Sequence, residues 1–269
     1  RAASNETRSA RPRPGDTPAG VRHAATGLHP PGNRRCPGRV NIDLQPMGET
    51  GQEMTADPYY SDDLVTIYHG DCRDILPALT FDVIVTDPPY GVEVVKKDGR
   101  TGFTSKVATS REYRPVQGDD VPLDPRWLLD YGRRQIVFGV SHFAAWPGPG
   151  RLLVWDKRDG MGSNNFADVE VAWDSQRGPS RLIRHKQMGM IGDLGDIRRV
   201  HPTQKPLRVM RWIVDQCTDQ TDTVCDPFMG SGTTLRAAMD LGRKAVGIEL
   251  DERYCEIAAQ RLGQQVLAL

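Results

Sequence analysis

Between Val224 and Leu262 the chain reads as a strand, a glycine turn, a helix, a second strand and a second helix, an order that few folds accept. Val224-Cys225-Asp226 is short and mostly apolar and runs into Pro227-Phe228-Met229-Gly230-Ser231-Gly232-Thr233-Thr234. An Ala/Leu helix over Leu235–Leu241 follows, with Gly242 placed to stop it. Lys244–Leu250 reads as a buried strand, and a helix from Asp251 carries Tyr254, Ile257, Ala258 and Leu262 along one side. Alternating strands and helices demand a mostly parallel sheet with helical crossovers. Such sheets bind ligands beyond the carboxyl ends of their strands. Glu249 ends the second strand 17 residues after Gly232, where a carboxylate can take both hydroxyls of a ribose. The glycines let the backbone approach that ligand closely.

What the turn lacks narrows the ligand. A dinucleotide fingerprint needs a third glycine three residues after Gly232, and Leu235 stands there. A P-loop needs a lysine after its glycine, and none follows Gly232. A nucleoside without phosphates, such as S-adenosylmethionine, fits better, with Asp226 facing its ammonium group. The competing reading is a structural turn, because Gly-x-Gly alone is a weak signal.

Phe81-Asp82-Val83-Ile84-Val85-Thr86 reads as another buried strand, ending in Asp87-Pro88-Pro89-Tyr90. The two prolines hold φ near about −65° and remove two N–H groups. A carboxylate, bare carbonyl oxygens and an aromatic ring remain. These can accept both N–H bonds of a planar amino group and stack on its ring. Taken alone, the tetrad is equally an ordinary proline-rich turn.

Together these motifs resemble the amino-group DNA methyltransferases, which methylate exocyclic nitrogens of adenine or cytosine. Asp87–Tyr90 precedes Asp226–Thr234, the motif order of the circularly permuted group called beta. His201-Pro202-Thr203-Gln204-Lys205-Pro206 is similar to that group's cofactor-side motif. Tyr68-His69-Gly70-Asp71-Cys72 resembles the segment that contacts the cofactor's adenine. The resemblance spans Leu64 to Leu262. It implies an α/β fold: a doubly wound, mostly parallel, seven-stranded Rossmann-like sheet with one antiparallel edge strand. The Asp-Pro-Pro-Tyr and Gly-Ser-Gly strands should adjoin at its switch point. Asp87, Pro88, Pro89 and Tyr90 are then the catalytic turn. Asp226, Phe228, Gly230, Gly232 and Glu249 hold S-adenosylmethionine, with Asp71 and Lys205 beside them. His201 is the one histidine expected near a ligand, while His69, His142 and His185 are expected at the surface or in packing. Packing is also the expected role of Trp155, ahead of a place in the base pocket.

Many relatives carry a large target-recognition insert between the two halves. Here residues 91–200 must also supply strands at Gln135–Val140, Leu152–Trp155 and Val169–Trp173. That leaves small DNA-contacting insertions around 91–120 and 158–200. Lys96, Lys97 and Lys106 in the first, and Arg181, Arg184 and Lys186 in the second, are the expected phosphate contacts. The competing reading is a solvated surface of mixed charge. Lys and Arg number 35 against 35 Asp and Glu, so net charge adds no basic signal.

Residues 1–53 are rich in Pro, Gly and Arg and poor in large apolar residues. A disordered tail is expected there, ahead of a methyltransferase domain over 54–269. The five cysteines form no CxxC pair, so no metal site is expected, and their odd number suits a reducing cytoplasm. The sequence shows no signal-peptide core and no eighteen-residue apolar run, so an intracellular protein, bacterial or phage-encoded, is expected without membrane contact.

The expected activity is site-specific methylation of double-stranded DNA with the target base flipped out. Adenine N6 is favoured over cytosine N4, because cytosine-N4 relatives more often carry Ser at the position of Asp87. Further readings are an RNA or protein amino-methyltransferase and a non-catalytic nucleic-acid-binding partner. Protein-glutamine relatives usually carry Asn at that position, and intact Asp87, Tyr90, Gly230 and Glu249 argue against decay. A homodimer is compatible with the sequence.

Overall fold

The computed structural model describes residues 57–93, 95, 116–160, 162, 167–188, 191–192 and 200–263. The tail expected over 1–53 lies outside them. The unit read from Val224 to Leu262 folds as β10 (Thr223–Asp226), α3 (Thr233–Asp240), β11 (Lys244–Glu249) and α4 (Glu252–Gly263). Gly242 ends α3 as expected. At φ 73° it donates to the Met239 carbonyl while Arg243 donates to that of Ala238, which satisfies acceptors a helix end leaves bare.

Ahead of this unit come β1 (Tyr60–Ser61), β2 (Val65–His69), α1 (Cys72–Ile75), β3 (Val83–Thr86), β4 (Arg134–Phe138), β5 (Arg151–Asp156), β6 (Val169–Asp174) and β7 (Arg181–Arg184). A separate antiparallel ribbon joins β8 (Gln187–Met188) and β9 (Ile191–Gly192), and α2 (Leu207–Cys217) leads into β10.

The main sheet has the order β1-β2-β11-β10-β3-β4-β6-β5-β7. The two motif strands adjoin, as expected: β10 runs parallel to β3 with Val224 opposite Val83 and Cys225 opposite Ile84. From this pair the chain winds outward both ways, β3 to β4 and β10 to β11, so a crevice opens beyond their carboxyl ends. All four residues of β3 are buried, as a continuous apolar run requires of a strand covered on both faces. One face, with Val83, Val85, Ile136, Phe138 and Val224, lies under α2, α3 and α4 through Val209, Ile213, Leu235, Ala238 and Leu262. The other, with Ile84, Val137, Cys225 and Ile248, lies under α1 and the short turn Pro125–Asp130 through Cys72, Ile75 and Leu128.

Two expectations need correction. The sheet has nine described strands rather than seven, because β1 folds back on β2 and β7 adds beyond β5. The antiparallel strand of the core is not at an edge. β6 pairs antiparallel with both β4 and β5. Its second half, Ala172-Trp173-Asp174, is fully buried, and burying it needs a neighbouring strand on each side.

The same three strands share a buried ion cluster. Asp174, with a side chain 0% exposed, accepts from Arg134 Nε at 2.9 Å, Arg134 Nη2 at 2.6 Å and Arg151 Nε at 2.7 Å. Arg134 also donates to the Cys217 carbonyl at 2.9 Å, which joins α2 to the cluster. Burial pushes the Asp174 carboxyl up, and the bonds from Arg134 and Arg151 more than offset it, so it lies below the usual carboxylate range. The ionised form therefore adds stability above the unfolded-state pKa, and this is lost as pH falls through the folded-state value. Asp174→Ala leaves two guanidiniums without their carboxylate and is expected to destabilise the fold by about 3–5 kcal/mol at neutral pH, with a smaller difference in acid. Urea unfolding of both proteins at neutral and acidic pH checks the size and the sign.

Candidate active site

A cavity of about 550 Å³ opens where β3, β10 and β11 end. Asp87, Pro88, Pro89 and Tyr90 form one side of it, and Asp226, Phe228, Gly230 and Glu249 form the other. Asp71, Trp127, His201, Gln204 and Lys205 complete the wall. The structure thus brings together residues up to 178 positions apart (Asp71 to Glu249). Gly232 stands behind the wall. It caps α3 at φ 76°, and a Cβ there would sit 3.0 Å from Ala258 Cβ, so it permits both the turn and the approach of α4.

On the glycine side, the Gly230 N–H donates to Glu249 Oε2 at 2.9 Å and the Asp251 N–H to Glu249 Oε1 at 2.9 Å. The carboxylate is held by backbone while keeping free lone pairs at the cavity. Ser231 is pinned from behind, because Arg261 donates to its carbonyl and, at 2.8 Å, to its Oγ. Gln204 Oε1 accepts from the Val200 N–H at 2.9 Å and lies 3.4 Å from Ser231 Oγ, linking the His-Pro-Thr-Gln-Lys-Pro segment to the glycine turn. The His201 ring meets Tyr254 edge-on at 4.4 Å. Asp71 Oδ1 accepts the Arg73 N–H at 2.9 Å and caps α1. Phe228 packs edge-on against Trp127 at 6.4 Å, an apolar wall of which Trp127 is the member that the sequence did not single out.

Asp226 is 2% exposed and ties the two strand tips together. Its Oδ1 accepts from Thr86 Oγ1 at 2.6 Å and from the Phe228 N–H at 3.1 Å. Burial pushes the carboxyl up to about 6, although bonds from Thr234 and Thr86 pull it back in part.

On the other side, both oxygens of Asp87 are engaged. Lys205 Nζ donates to Oδ2 at 2.5 Å and the Tyr90 hydroxyl to Oδ1 at 2.5 Å. Two donors on one carboxyl describe a carboxylate. Lys205 also pairs with Glu170 Oε2 at 3.1 Å, and Glu170 Oε1 accepts from Lys157 Nζ at 2.6 Å. The ammonium expected beside the cofactor motif therefore points at the Asp-Pro-Pro-Tyr turn. Burial opposes that ammonium, but Asp87 and Glu170 overcome it and hold Lys205 well above the ordinary lysine value. Asp119 Oδ1 accepts from the N–H groups of Tyr90, Gly91 and Val92 at 3.0, 2.9 and 3.3 Å, which fixes the backbone after the prolines. The Tyr90 ring lies flat on His142, 5.0 Å between centroids and 7° apart, and a Cβ on Gly139 would overlap that ring. Trp155 is a core residue whose Nε1 donates to the His185 carbonyl at 2.8 Å.

Glu170, Asp119, His142 and Gly139 were not legible as site residues. Each belongs to a stretch with no motif, and only tertiary contact assigns it. Among the expected DNA contacts, Lys96, Lys97 and Lys106 lie outside the described residues. Arg181 opens β7 and Arg184 closes it, so Arg184, paired with Asp156 at 3.4 Å, and Lys186 are the ones at the carboxyl edge. Among the described residues, no His, Cys, Asp or Glu group can hold a metal ion, and no helix is long and apolar enough to cross a membrane.

A carboxyl raised from 3.8 to about 6 contributes stability that is full below the unfolded pKa and lost as pH rises through the folded value. Between about pH 4 and 6 the wild type is expected to lose on the order of 3 kcal/mol relative to Asp226→Asn. Parallel urea titrations across that window check it; a constant difference between the two proteins rules out Asp226 as the buried titrating group.

Comparison with known proteins agrees with this geometry. The family model described as DNA methylase matches residues 146–260. The type II methyltransferase M.HinfI of Haemophilus influenzae is 38% identical over 249 residues, 75% of this chain and 69% of that protein. The DNA adenine methyltransferase YhdJ of Escherichia coli K12 is 26% identical over 265 residues, 79% of this chain and 86% of that protein. Among solved structures, the cytosine-N4-specific PvuII DNA methyltransferase aligns over 80% of this chain and 92% of its own with a TM-score of 0.50 and 17% identity, a likeness of fold alone. With the four motifs in order and both strand tips at one cavity, the chain belongs to the family of N6-adenine and N4-cytosine DNA methyltransferases.

Proposed function

We propose that this chain methylates the N6 amino group of adenine at specific sites in double-stranded DNA, with S-adenosylmethionine as methyl donor. The observation that carries the reading is the placement of the Asp87 carboxylate and the Glu249-anchored glycine turn on opposite sides of one cavity. When bound, S-adenosylmethionine supplies an electrophilic methyl group on a sulfonium. Glu249 holds the ribose through the lone pairs its backbone bonds leave open, and Phe228 and Trp127 offer apolar surface to the adenine ring. Asp71, Gly230 and Asp226 complete that half, Asp226 by fixing the turn from behind.

The exocyclic nitrogen is a weak nucleophile because its lone pair is delocalised into the ring. Asp87 and the Pro88 carbonyl accept its two N–H bonds and favour a nitrogen whose lone pair points at the methyl. Pro88 and Pro89 keep the turn rigid, so little reorganisation is needed at the reacting atom. The Tyr90 hydroxyl occupies Asp87 Oδ1 in this structure, so the arriving amino group displaces it. The Tyr90 ring, backed by His142, then serves as a stacking platform for a base that has left the duplex. Arg184 and Lys186, with Lys96, Lys97 and Lys106, are the proposed phosphate contacts. Adenine is preferred because Asp rather than Ser opens the Asp-Pro-Pro-Tyr turn. The name of the relative YhdJ agrees with that choice.

Asp87→Ala is expected to lower transfer of tritiated methyl to DNA at least about a hundredfold while cofactor binding persists. Activity within tenfold of wild type removes Asp87 from the chemistry. Glu249→Ala is expected to weaken S-adenosylmethionine by about ten- to a hundredfold in calorimetry, as the loss of charge-assisted hydrogen bonds implies. Equal affinities place the ribose elsewhere. Mass spectrometry of nucleosides from methylated DNA decides the base, with N4-methylcytosine as the outcome that corrects the adenine assignment.

A further inference from the structure

Behind Asp87 runs a line of alternating charges: Asp87, Lys205, Glu170 and Lys157, with contacts of 2.5, 3.1 and 2.6 Å. The Lys205 side chain is only 8% exposed, so these carboxylates rather than water balance its charge. Asp87 and Lys205 alone would cancel. Glu170 divides that ammonium between two carboxylates, and Lys157, on the other Glu170 oxygen, brings the four charges to zero.

That charge matters at the accepting nitrogen. The nitrogen forms a bond to the methyl carbon with its lone pair, the carbon–sulfur pair departs with sulfur, and the nitrogen stays cationic until one proton is released to solvent water. A carboxylate fully matched by its own ammonium offers little to that developing charge. We propose that Glu170, acting through Lys205, is a positioning residue for methyl transfer: it shares the ammonium with Asp87, so that the Asp87 carboxylate is not matched by a cation of its own. The proposal rests on the reading of Asp87 as the base-side carboxylate. The fold supplies the reason Glu170 can reach. β6 lies between β4 and β5, with Glu170 in register with Trp155; at the sheet edge it would stand one strand farther from Lys205.

The groups facing Asp87 are the Tyr90 hydroxyl from its own turn, Lys205 from the segment before α2, Glu170 from β6 and Asp226 from β10. Burial raises the Asp87 carboxyl, Lys205 lowers it and Glu170 raises it again. In the full-length protein labelled with 13C-carboxylate aspartate, Asp87→Asn assigns the Asp87 signal. Glu170→Gln is expected to move its titration to lower pH, because a like charge has gone. Lys157→Met is expected to move it to higher pH, because Glu170 is no longer neutralised from behind. In transfer assays Glu170→Gln should lower kcat about tenfold or more, with KM for DNA and for S-adenosylmethionine within about twofold.

An Asp87 titration that stays put in both variants overturns the proposal. So does a kcat loss that follows a matching fall in melting temperature and cofactor binding, which marks a structural role. Should Glu170→Gln fail to fold, the upward shift in Lys157→Met decides alone. Titrations that move as stated in a protein that methylates no DNA keep the shared charge and overturn the proposed activity instead.

Discussion

The parallel pairing of β3 with β10 is the constraint on which the site depends. The two strands come from segments 140 residues apart, and the bond from Thr86 to Asp226 locks their tips at 2.6 Å. Both motif turns leave from those tips: Asp87 one residue past Thr86, and the glycine turn directly after Asp226. The price is a carboxyl buried so deeply that its pKa reaches about 6. Water cannot readily reach that carboxyl, because β3 is buried along its whole length and Asp226 itself is 2% exposed.

Three carboxylates with little access to solvent show how environment assigns different work to one functional group. Asp174 has two guanidiniums and no access to the cavity, so it is pulled below the usual range and ties strands together. Asp226 has hydroxyl and amide donors but no cation, so burial dominates and the group titrates near 6. Asp87 has an ammonium, but burial raises its carboxyl and the ammonium, shared with Glu170, offsets this only in part, while two donors bond the group. Asp87 and Asp226 line the cavity, and Asp174 does not. Asp87 differs from Asp174 in that its one ammonium is shared with a second carboxylate.

The apolar runs made β3, β4, β5, β6, β10 and β11 legible to within a residue or two, because buried strands need continuous β-branched and aromatic residues. The helix after the glycine turn was equally legible, since Gly242 has a single physical role at its end. The position of β6 was not. Hydrophobic pattern gives a strand and its faces but no order, and β6 pairs inside the sheet because both of its edges must be satisfied there. Lys205 was read as a cofactor-side residue because its motif is; its side chain is long enough to cross to Asp87.

By itself the sequence determined the class of fold, the two turns and the residue types they present. Those are local properties, set by spacing, by proline and glycine backbone limits and by where apolar runs stop. Tertiary structure alone decided which groups meet. Glu170, Lys157, Asp119 and His142 carry no local signature, and they join the site because strand order and loop closure bring them within hydrogen-bond, ion-pair or stacking distance of Asp87, Lys205 and Tyr90. Coulomb and hydrogen-bond energies depend on separation in space, and a one-dimensional pattern does not contain that distance.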